Sequence, residues 1–146
     1  MGKFHKSKSY NSLVQINAMK SKYPHFKYKK NGDSDIVFTG ELFIKPELPI
    51  YTVSIHYRGN LSPVIKVLNP ELVEDPPHFY KKSNSICLYH PDNYKWRKEN
   101  LIATNIMSWT IAWIYFYEYW LQTGQWVGPE APHNFEKKED EQESSI

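Results

Sequence analysis

The sequence predicts a single α+β domain in which helices cover one face of an antiparallel sheet. Two observations carry this prediction. Short segments of alternating apolar residues, joined by turn residues, fill positions 25–68, and a strongly apolar segment runs from Leu101 to Leu121. With 146 residues, 5 Trp, 11 Tyr and 7 Phe, the chain is long enough to form one aromatic-rich core.

The N-terminal part is predicted to be a flexible basic arm over residues 1–8 and then a helix from Ser9 to Lys22. Apolar residues recur at helical spacing there: Leu13, Ile16, Met19 and Tyr23. Pro24 is expected to end this helix, because proline cannot continue the helical hydrogen bonding.

Four strands are predicted next, and their short connections favour an antiparallel meander with one buried face. The first spans His25 to Lys30, and Asn31-Gly32 is typical of a hairpin turn. The buried faces of the second and third strands are expected to be Ile36, Phe38, Leu42 and Ile44, and then Tyr51, Val53, Ile55 and Tyr57. Turn-like links at Pro46 to Pro49 and Arg58 to Asn60 precede the third strand and the fourth, which covers Val64 to Leu68.

The segment from Leu101 to Leu121 is predicted to form one helix or a helix pair. One face carries Ile102, Ile106, Trp109, Trp113, Phe116 and Trp120. Its apolar part also raises a membrane interpretation, but the part is too short to span a bilayer and contains Glu118, which favours a core helix. A carboxylate in such a helix needs a partner, so Glu118 is expected to make a structural hydrogen bond. Gly124 is the expected C-cap.

The candidate nucleophile is Cys87, the only cysteine of the chain. It follows Ser83-Asn84-Ser85 and precedes His90-Pro91-Asp92, so an extended piece between two turns is expected. Isolated cysteines are most often small buried hydrophobic residues, and this interpretation stays open beside the nucleophile. His78 and His90 are near enough in sequence to assist proton transfer or to orient the loop, and each can equally be a structural histidine.

Composition excludes several classes of function. A net charge of +2 does not favour nucleic acid as a partner, and a single cysteine excludes an internal disulfide framework and a multi-cysteine zinc site. No glycine-rich phosphate loop and no metal-ligand spacing among the histidines is present, so no cofactor and no metal are expected. The basic N-terminus lacks the apolar run of a secretory signal, and a single cysteine fits a reducing cytosol, so a cytoplasmic protein without a membrane partner is expected. Residues 134–146 are predicted to be a disordered acidic tail.

The order of these elements, with Ile86-Cys87-Leu88 and Trp96 after the predicted sheet, resembles the ubiquitin-conjugating enzyme fold over residues 9–133. A narrower set of motifs is similar to the bacterial ubiquitin-conjugating-like proteins of antiviral CBASS operons, which also encode a cGAS-like nucleotidyltransferase. These motifs are Pro77-His78, Ile86-Cys87-Leu88-Tyr89, Trp96, Tyr117-Glu118, Trp120, Gly124, and Trp126-Val127-Gly128-Pro129-Glu130 with His133.

The resemblance implies that Cys87 accepts an acyl group as a thioester from the C-terminus of a carrier protein. The implied carrier is the cGAS-like nucleotidyltransferase, and the implied acceptor is a lysine or another amine. A thiolate suits the step, because it is a good nucleophile and its thioester is a good acyl donor. No activating domain is fused to the chain, so activation is expected from another protein or by exchange.

The chain departs from the wider family before the cysteine. That family has His-Pro-Asn there, and its asparagine is associated with the oxyanion or the loop, whereas this chain has Pro77-His78-Phe79. Asn84 or Asn93 is expected to substitute, since donors aimed at the developing oxyanion are the requirement. A second function stays open: a catalytically inert module of the same fold that scaffolds or regulates a partner.

Three further residues are expected near the site. Trp96, Glu130 and His133 are assigned to structural closure there, with the last two closing the helix onto the loop.

Overall fold

A computed structural model describes residues 2–88 and 94–129, with the side chains of residues 2–11 left out. Helix α1 spans Gly2–Lys22, and helix α2 spans Met107–Thr123 directly after a π-helical turn at Ile102–Ile106. Six strands lie between them: β1 Lys27–Gly32, β2 Asp35–Leu42, β3 Tyr51–Arg58, β4 Leu61–Asn69, β5 Phe79–Tyr80 and β6 Ser85–Ile86. The chain is therefore an α+β protein, as the sequence predicts.

Strands β1 to β4 form an antiparallel sheet in the order β1-β2-β3-β4, which confirms the predicted meander. Residues of β3 alternate strictly between buried and half-buried, so one face of the sheet is in the core. The predicted inward residues of β2 and β3 are all buried except Ile44, which lies beyond the end of β2 and is partly buried. The alternation of apolar residues thus identified the buried face correctly.

The first hairpin turn is a correction. β1 continues through Asn31 and Gly32, Gly32 pairs with Asp35, and the turn consists of Asp33 and Ser34. The pairing shifts between Lys30 and Gly32, so the irregularity lies inside the strand rather than at its end. Edge strand β1 is fully exposed, and no buried face fixes its register against the turn signal.

Helix α1 begins earlier than the predicted start at Ser9, and the backbone of the predicted flexible arm after Met1 is helical. The buried face of α1 contains Ser12, Gln15, Ile16 and Met19, whereas Leu13 is exposed. Gln15 connects α1 to the segment before α2. Its Nε2 donates to the carbonyl of Asn100 at 2.6 Å, and its Oε1 accepts from the N–H of Ile102 at 3.0 Å.

Two adjacent faces of helix α2 carry apolar side chains, one buried and the other partly buried. Its buried residues are Met107, Thr110, Trp113, Ile114 and Tyr117, while Trp109, Phe116 and Trp120 of the predicted face are only partly buried. Glu118 accepts a short hydrogen bond from the hydroxyl of Tyr51, which confirms the expected structural role and places α2 beside β3. Gly124 caps α2 with a φ of +79°, and its N–H donates to the carbonyl of Trp120.

None of the helices in the described part of the chain is long and apolar enough to cross a membrane.

Candidate functional site

Cys87 follows a two-stranded hairpin. The turn Lys81–Asn84 joins β5 to β6, with Phe79 paired to Ile86 and Tyr80 paired to Ser85. Asn84 has a φ of +55°, a left-handed conformation that asparagine tolerates better than most residues. Cys87 directly follows β6 of this hairpin, and the second turn that the sequence predicts, at His90-Pro91-Asp92, lies outside the described residues.

The carbonyl of His78 fixes the position of Cys87. It accepts hydrogen bonds from the Cys87 N–H at 2.9 Å and from the Trp113 indole Nε1 at 3.0 Å. His78 has a φ of +53°, which is uncommon for a residue with a side chain, and its ring packs on Trp126 with 4.9 Å between centroids. His78 thus ties the hairpin to α2 through its backbone and to the C-terminal segment through its ring.

The Cys87 side chain is buried, with 3% of the residue exposed. Its Sγ lies 3.2 Å from the Tyr80 hydroxyl, in hydrogen-bonding geometry. Burial raises the pKa of the thiol from 9.0 to about 11, and the Tyr80 contact acts in the opposite direction. The pKa of the Tyr80 hydroxyl is also raised, mainly by desolvation and then by the thiol, although half of the side chain is exposed. In this arrangement the thiol is neutral at pH 7, with about 10⁻⁴ ionised.

An aromatic pocket of about 370 Å³ opens beside the thiol. The described residues that line it are His78, Cys87, Trp109, Ala112, Trp113, Phe116, Trp126 and Pro129. Gly128 lies so close to Phe116 that an added Cβ would fall 2.5 Å from the ring, so the segment after α2 packs tightly along one wall. The partly buried aromatic face of α2 also lines the pocket.

The other predicted site residues are more widely placed. Asn84 is exposed and lines a second pocket together with Asp75 and Lys81, whose side chains form an ion pair at 2.5 Å. Trp96 is buried against Tyr57, and its indole donates to the Gly59 carbonyl at 2.8 Å. Trp96 therefore anchors the segment after the site to the turn between β3 and β4.

Four predicted site residues lie outside the described residues: His90, Asn93, Glu130 and His133. The predicted acidic tail at 134–146 also lies outside them. The described structure brings His78 to the pocket of Cys87 and places Asn84 on the other pocket. The roles of all these residues, and the domain boundaries, stay predictions.

Sequence reasoning missed Tyr80. The sequence predicts histidines beside the thiol, but the side chain at the sulfur comes from across the hairpin. The signal was available in the pairs of polar turn residues between Tyr80 and Ser85, which predict a hairpin that returns the chain next to Tyr80. No cluster of three or more His, Cys, Asp and Glu side chains is placed to hold a metal ion within residues 12–88 and 94–129, whose side chains the structure describes.

Comparison with models of protein families shows which family the chain belongs to. A model described as Type II CBASS E2 protein matches residues 15–134. The chain belongs to this family. The match contains Cys87, the hairpin, the aromatic pocket and both faces of α2, and family membership indicates an E2-like role in CBASS defence. No curated protein matches the chain.

Proposed function

We propose that this CBASS E2 protein is a ubiquitin-conjugating-like acyltransferase that uses Cys87 as its nucleophile. The observation that carries the proposal is the position of the single thiol of the chain in the wall of an aromatic pocket, in a family of E2 proteins. The proposed acyl donor is the C-terminus of a carrier protein, the cGAS-like nucleotidyltransferase of the same operon. The acceptor is a lysine or another amine, and the conjugate primes defence against phage.

The proposed reaction has two steps. The Cys87 thiolate attacks the carbonyl carbon of an activated carrier C-terminus; a C–S bond forms, and the activating group leaves with its bonding electrons. The amine then attacks the thioester, an amide forms, and Cys87 leaves and recovers a proton. Activation must come first, because a free carboxylate does not acylate a thiol.

The burial of Cys87 sets a requirement for this chemistry. A thiol with a pKa of about 11 and 3% exposure is a poor nucleophile until it loses its proton and meets the acyl carbon. We propose that binding of the carrier opens the pocket and that a nearby base removes the proton. His78 is the candidate for this base among the described residues, because its ring lines the same pocket.

The same burial is also the observation that favours a second function. A thiol this enclosed suits a structural residue in a catalytically inert module that scaffolds or regulates its partner. Cys87→Ser separates the two functions, because it is nearly isosteric and removes the thiol. In the inert module the variant binds its partner and supports defence as the wild type does.

The test incubates the protein with its operon's nucleotidyltransferase and any activating factor. The wild type is expected to form an adduct that reducing agent cleaves. Cys87→Ser is expected to form none, or an ester that resists thiols and is cleaved by alkali. Conjugation by Cys87→Ser at the wild-type rate would show that the thiol is not the nucleophile.

His78→Asn tests the imidazole alone. The substitution keeps the backbone carbonyl that holds Cys87 and Trp113, and asparagine tolerates the left-handed φ. Conjugation is expected to slow by roughly 10- to 1000-fold if the ring transfers a proton. An unchanged rate would assign His78 a structural role.

A further inference from the structure

The described lining of the pocket beside Cys87 is mostly apolar. Among the described residues that line it, none is Asp, Glu, Lys or Arg, and the polar side-chain groups are the His78 ring, the Cys87 thiol and the indole N–H groups of the three tryptophans. A charged group would lose its hydration there without an opposite charge among these residues. An apolar group would gain from the same exclusion of water.

The size of the pocket also limits its occupant. Its volume of about 370 Å³ lies near the lower end of the range for sites that hold small organic groups, about 300–1,000 Å³. Ala112 contributes the smallest side chain to a wall otherwise built by Trp109, Trp113 and Phe116. A larger side chain at position 112 would therefore reduce the space beside the thiol.

The pocket wall contains one polar group that lacks a partner. The Trp126 Nε1 is buried and has no hydrogen-bond acceptor among the described residues. A buried unpaired N–H destabilises the empty site, and an amide carbonyl of a bound peptide would remove that penalty. An apolar side chain next to a peptide carbonyl matches both features of the wall.

We propose that this pocket is a specificity subsite that receives a large apolar side chain from the last two residues of the acyl donor. The inference rests on the proposed function for the identity of the donor, but occupancy of the pocket does not require the thioester to form. The subsite would hold the donor's acyl carbon next to the sulfur of Cys87.

The first experiment measures binding without chemistry. In Cys87→Ala protein, the indole ¹⁵N–¹H signals of Trp113 and Trp126 are followed while N-acetyl-phenylalanine amide or N-acetyl-aspartate amide is added. We expect the phenylalanine amide to shift both signals and the aspartate amide to leave them in place. Equal shifts with both, or none with either, would overturn the subsite whatever the protein does as an enzyme.

The second experiment measures the reaction with short peptide thioesters of mercaptoethanesulfonate that carry Phe, Leu or Asp at the last or the last-but-one position with Gly at the other, or Gly at both. The Cys87 thiolate attacks the acyl carbon, a new C–S bond forms, the probe's C–S bond breaks, and the released thiolate takes up the proton lost by Cys87. Intact mass spectrometry of the adduct gives the rates. At one of the two positions, we expect Phe and Leu probes to react at least tenfold faster than the Asp probe.

Ala112→Leu is expected to remove that preference by filling the pocket. Ala18→Leu, the same change on α1 away from the pocket, is the matched control and should keep the preference. Adducts that form at one rate with every probe, in both variants, would overturn the subsite while leaving the thiol a nucleophile. Adducts with no probe would overturn the proposed chemistry, and the indole shifts would still decide the subsite.

Two other groups could fill the pocket beside Cys87, and each would give a distinct experimental result. An octanoyl thioester that reacts faster than every peptide probe would assign the pocket to a fatty acyl group. A shift of the Trp126 indole signal in Phe135→Ala protein, with no ligand added, would assign it to the chain's own C-terminal segment. Either result would overturn the proposal.

Discussion

The sulfur of Cys87 lies 3.2 Å from the hydroxyl oxygen of Tyr80, across the hairpin formed by β5 and β6. A neutral thiol donates a proton to this oxygen, and the hydroxyl can rotate to donate to a thiolate. Burial nevertheless dominates and holds the pKa of the thiol near 11. Tyr80 is therefore placed to stabilise the reactive form of Cys87 without exposing it to water.

Tyr80→Phe is expected to raise the pKa of Cys87 further, because the hydrogen bond that favours the thiolate is lost. Alkylation by iodoacetamide at pH 8 should slow by about fivefold, which corresponds to roughly 1 kcal/mol for the lost bond. Tyr119→Phe, at an exposed position of α2, is the control and should label at the wild-type rate. Faster labelling of Tyr80→Phe would show that access, rather than ionisation, limits the reaction.

The raised pKa of Cys87 also links the stability of the fold to pH. Folding keeps the thiol neutral, so its contribution is complete below the ordinary pKa of 9.0 and is lost as the pH rises toward about 11. A pKa raised from 9.0 to about 11 corresponds to a loss of stability of roughly 3 kcal/mol once the loss is complete. Urea unfolding at pH 8 and pH 10.5 should show a larger loss in the wild type than in Cys87→Ser.

The comparison with Cys87→Ser isolates the thiol together with its effect on Tyr80, because the other tyrosines titrate in both proteins. Tyr57, whose pKa burial raises to about 12, would weaken both folds equally at high pH. An equal loss of stability in the two proteins would contradict a buried neutral thiol.

How much of the sheet could be predicted from the sequence depends on whether its residues are buried or exposed. Alternation along β2 and β3 identifies the sheet and its buried face, since a strand places every second residue on one side. The exposed strand β1 carries no such pattern, and its turn falls at Asp33 and Ser34 instead of Asn31 and Gly32. Burial, more than the local turn signal, makes register predictable.

The aromatic pocket could not be predicted from periodicity, because both faces of α2 are apolar. Periodicity predicts that the face with Trp109 and Phe116 is in the core, yet this face lines the pocket. Met107 and Ile114, on the neighbouring face, are in the core. The two faces can be distinguished only when the position of the segment around Trp126 is known, because Trp126 packs against Phe116 of α2. That approach depends on tertiary structure, and no local signal encodes it.

Gln15 is expected to be important for stability, because it satisfies two backbone groups that its own helix cannot reach. Gln15→Leu conserves the approximate volume and leaves the Asn100 carbonyl and the buried Ile102 N–H without this partner. The free energy of unfolding should fall by about 2–6 kcal/mol, the sum of two unsatisfied groups at about 1–3 kcal/mol each.

Gln15→Glu separates the two bonds. This variant keeps an acceptor for the Ile102 N–H and removes the donor for the Asn100 carbonyl. Its fall in the free energy of unfolding should therefore differ from that of Gln15→Leu. Gln125, exposed after α2, offers the matched control, and Gln125→Leu should change the free energy of unfolding by less than about 0.5 kcal/mol. A similar loss in Gln15→Leu and Gln125→Leu would contradict the bridging role.

The hydrogen bond between Tyr51 and Glu118 fastens α2 to the centre of the sheet. Tyr51 is fully buried, and burial together with the Glu118 carboxylate holds its pKa above the ordinary range. Tyr51→Phe removes a bond to a charged acceptor and should lower the free energy of unfolding by about 1.5–3 kcal/mol. Tyr57→Phe is the matched control, because it removes a bond of 3.0 Å to the neutral carbonyl of Lys98 and should cost about 0.5–1.5 kcal/mol.

Glu118→Gln completes the comparison, since its amide oxygen still accepts from Tyr51 but lacks the charge. Its loss should therefore lie below that of Tyr51→Phe, and the double variant should cost little more than Tyr51→Phe alone, because the two residues share one interaction. Urea denaturation at pH 7 measures all four free energies. Strictly additive losses in the double variant would show that Tyr51 and Glu118 stabilise the protein through separate contacts.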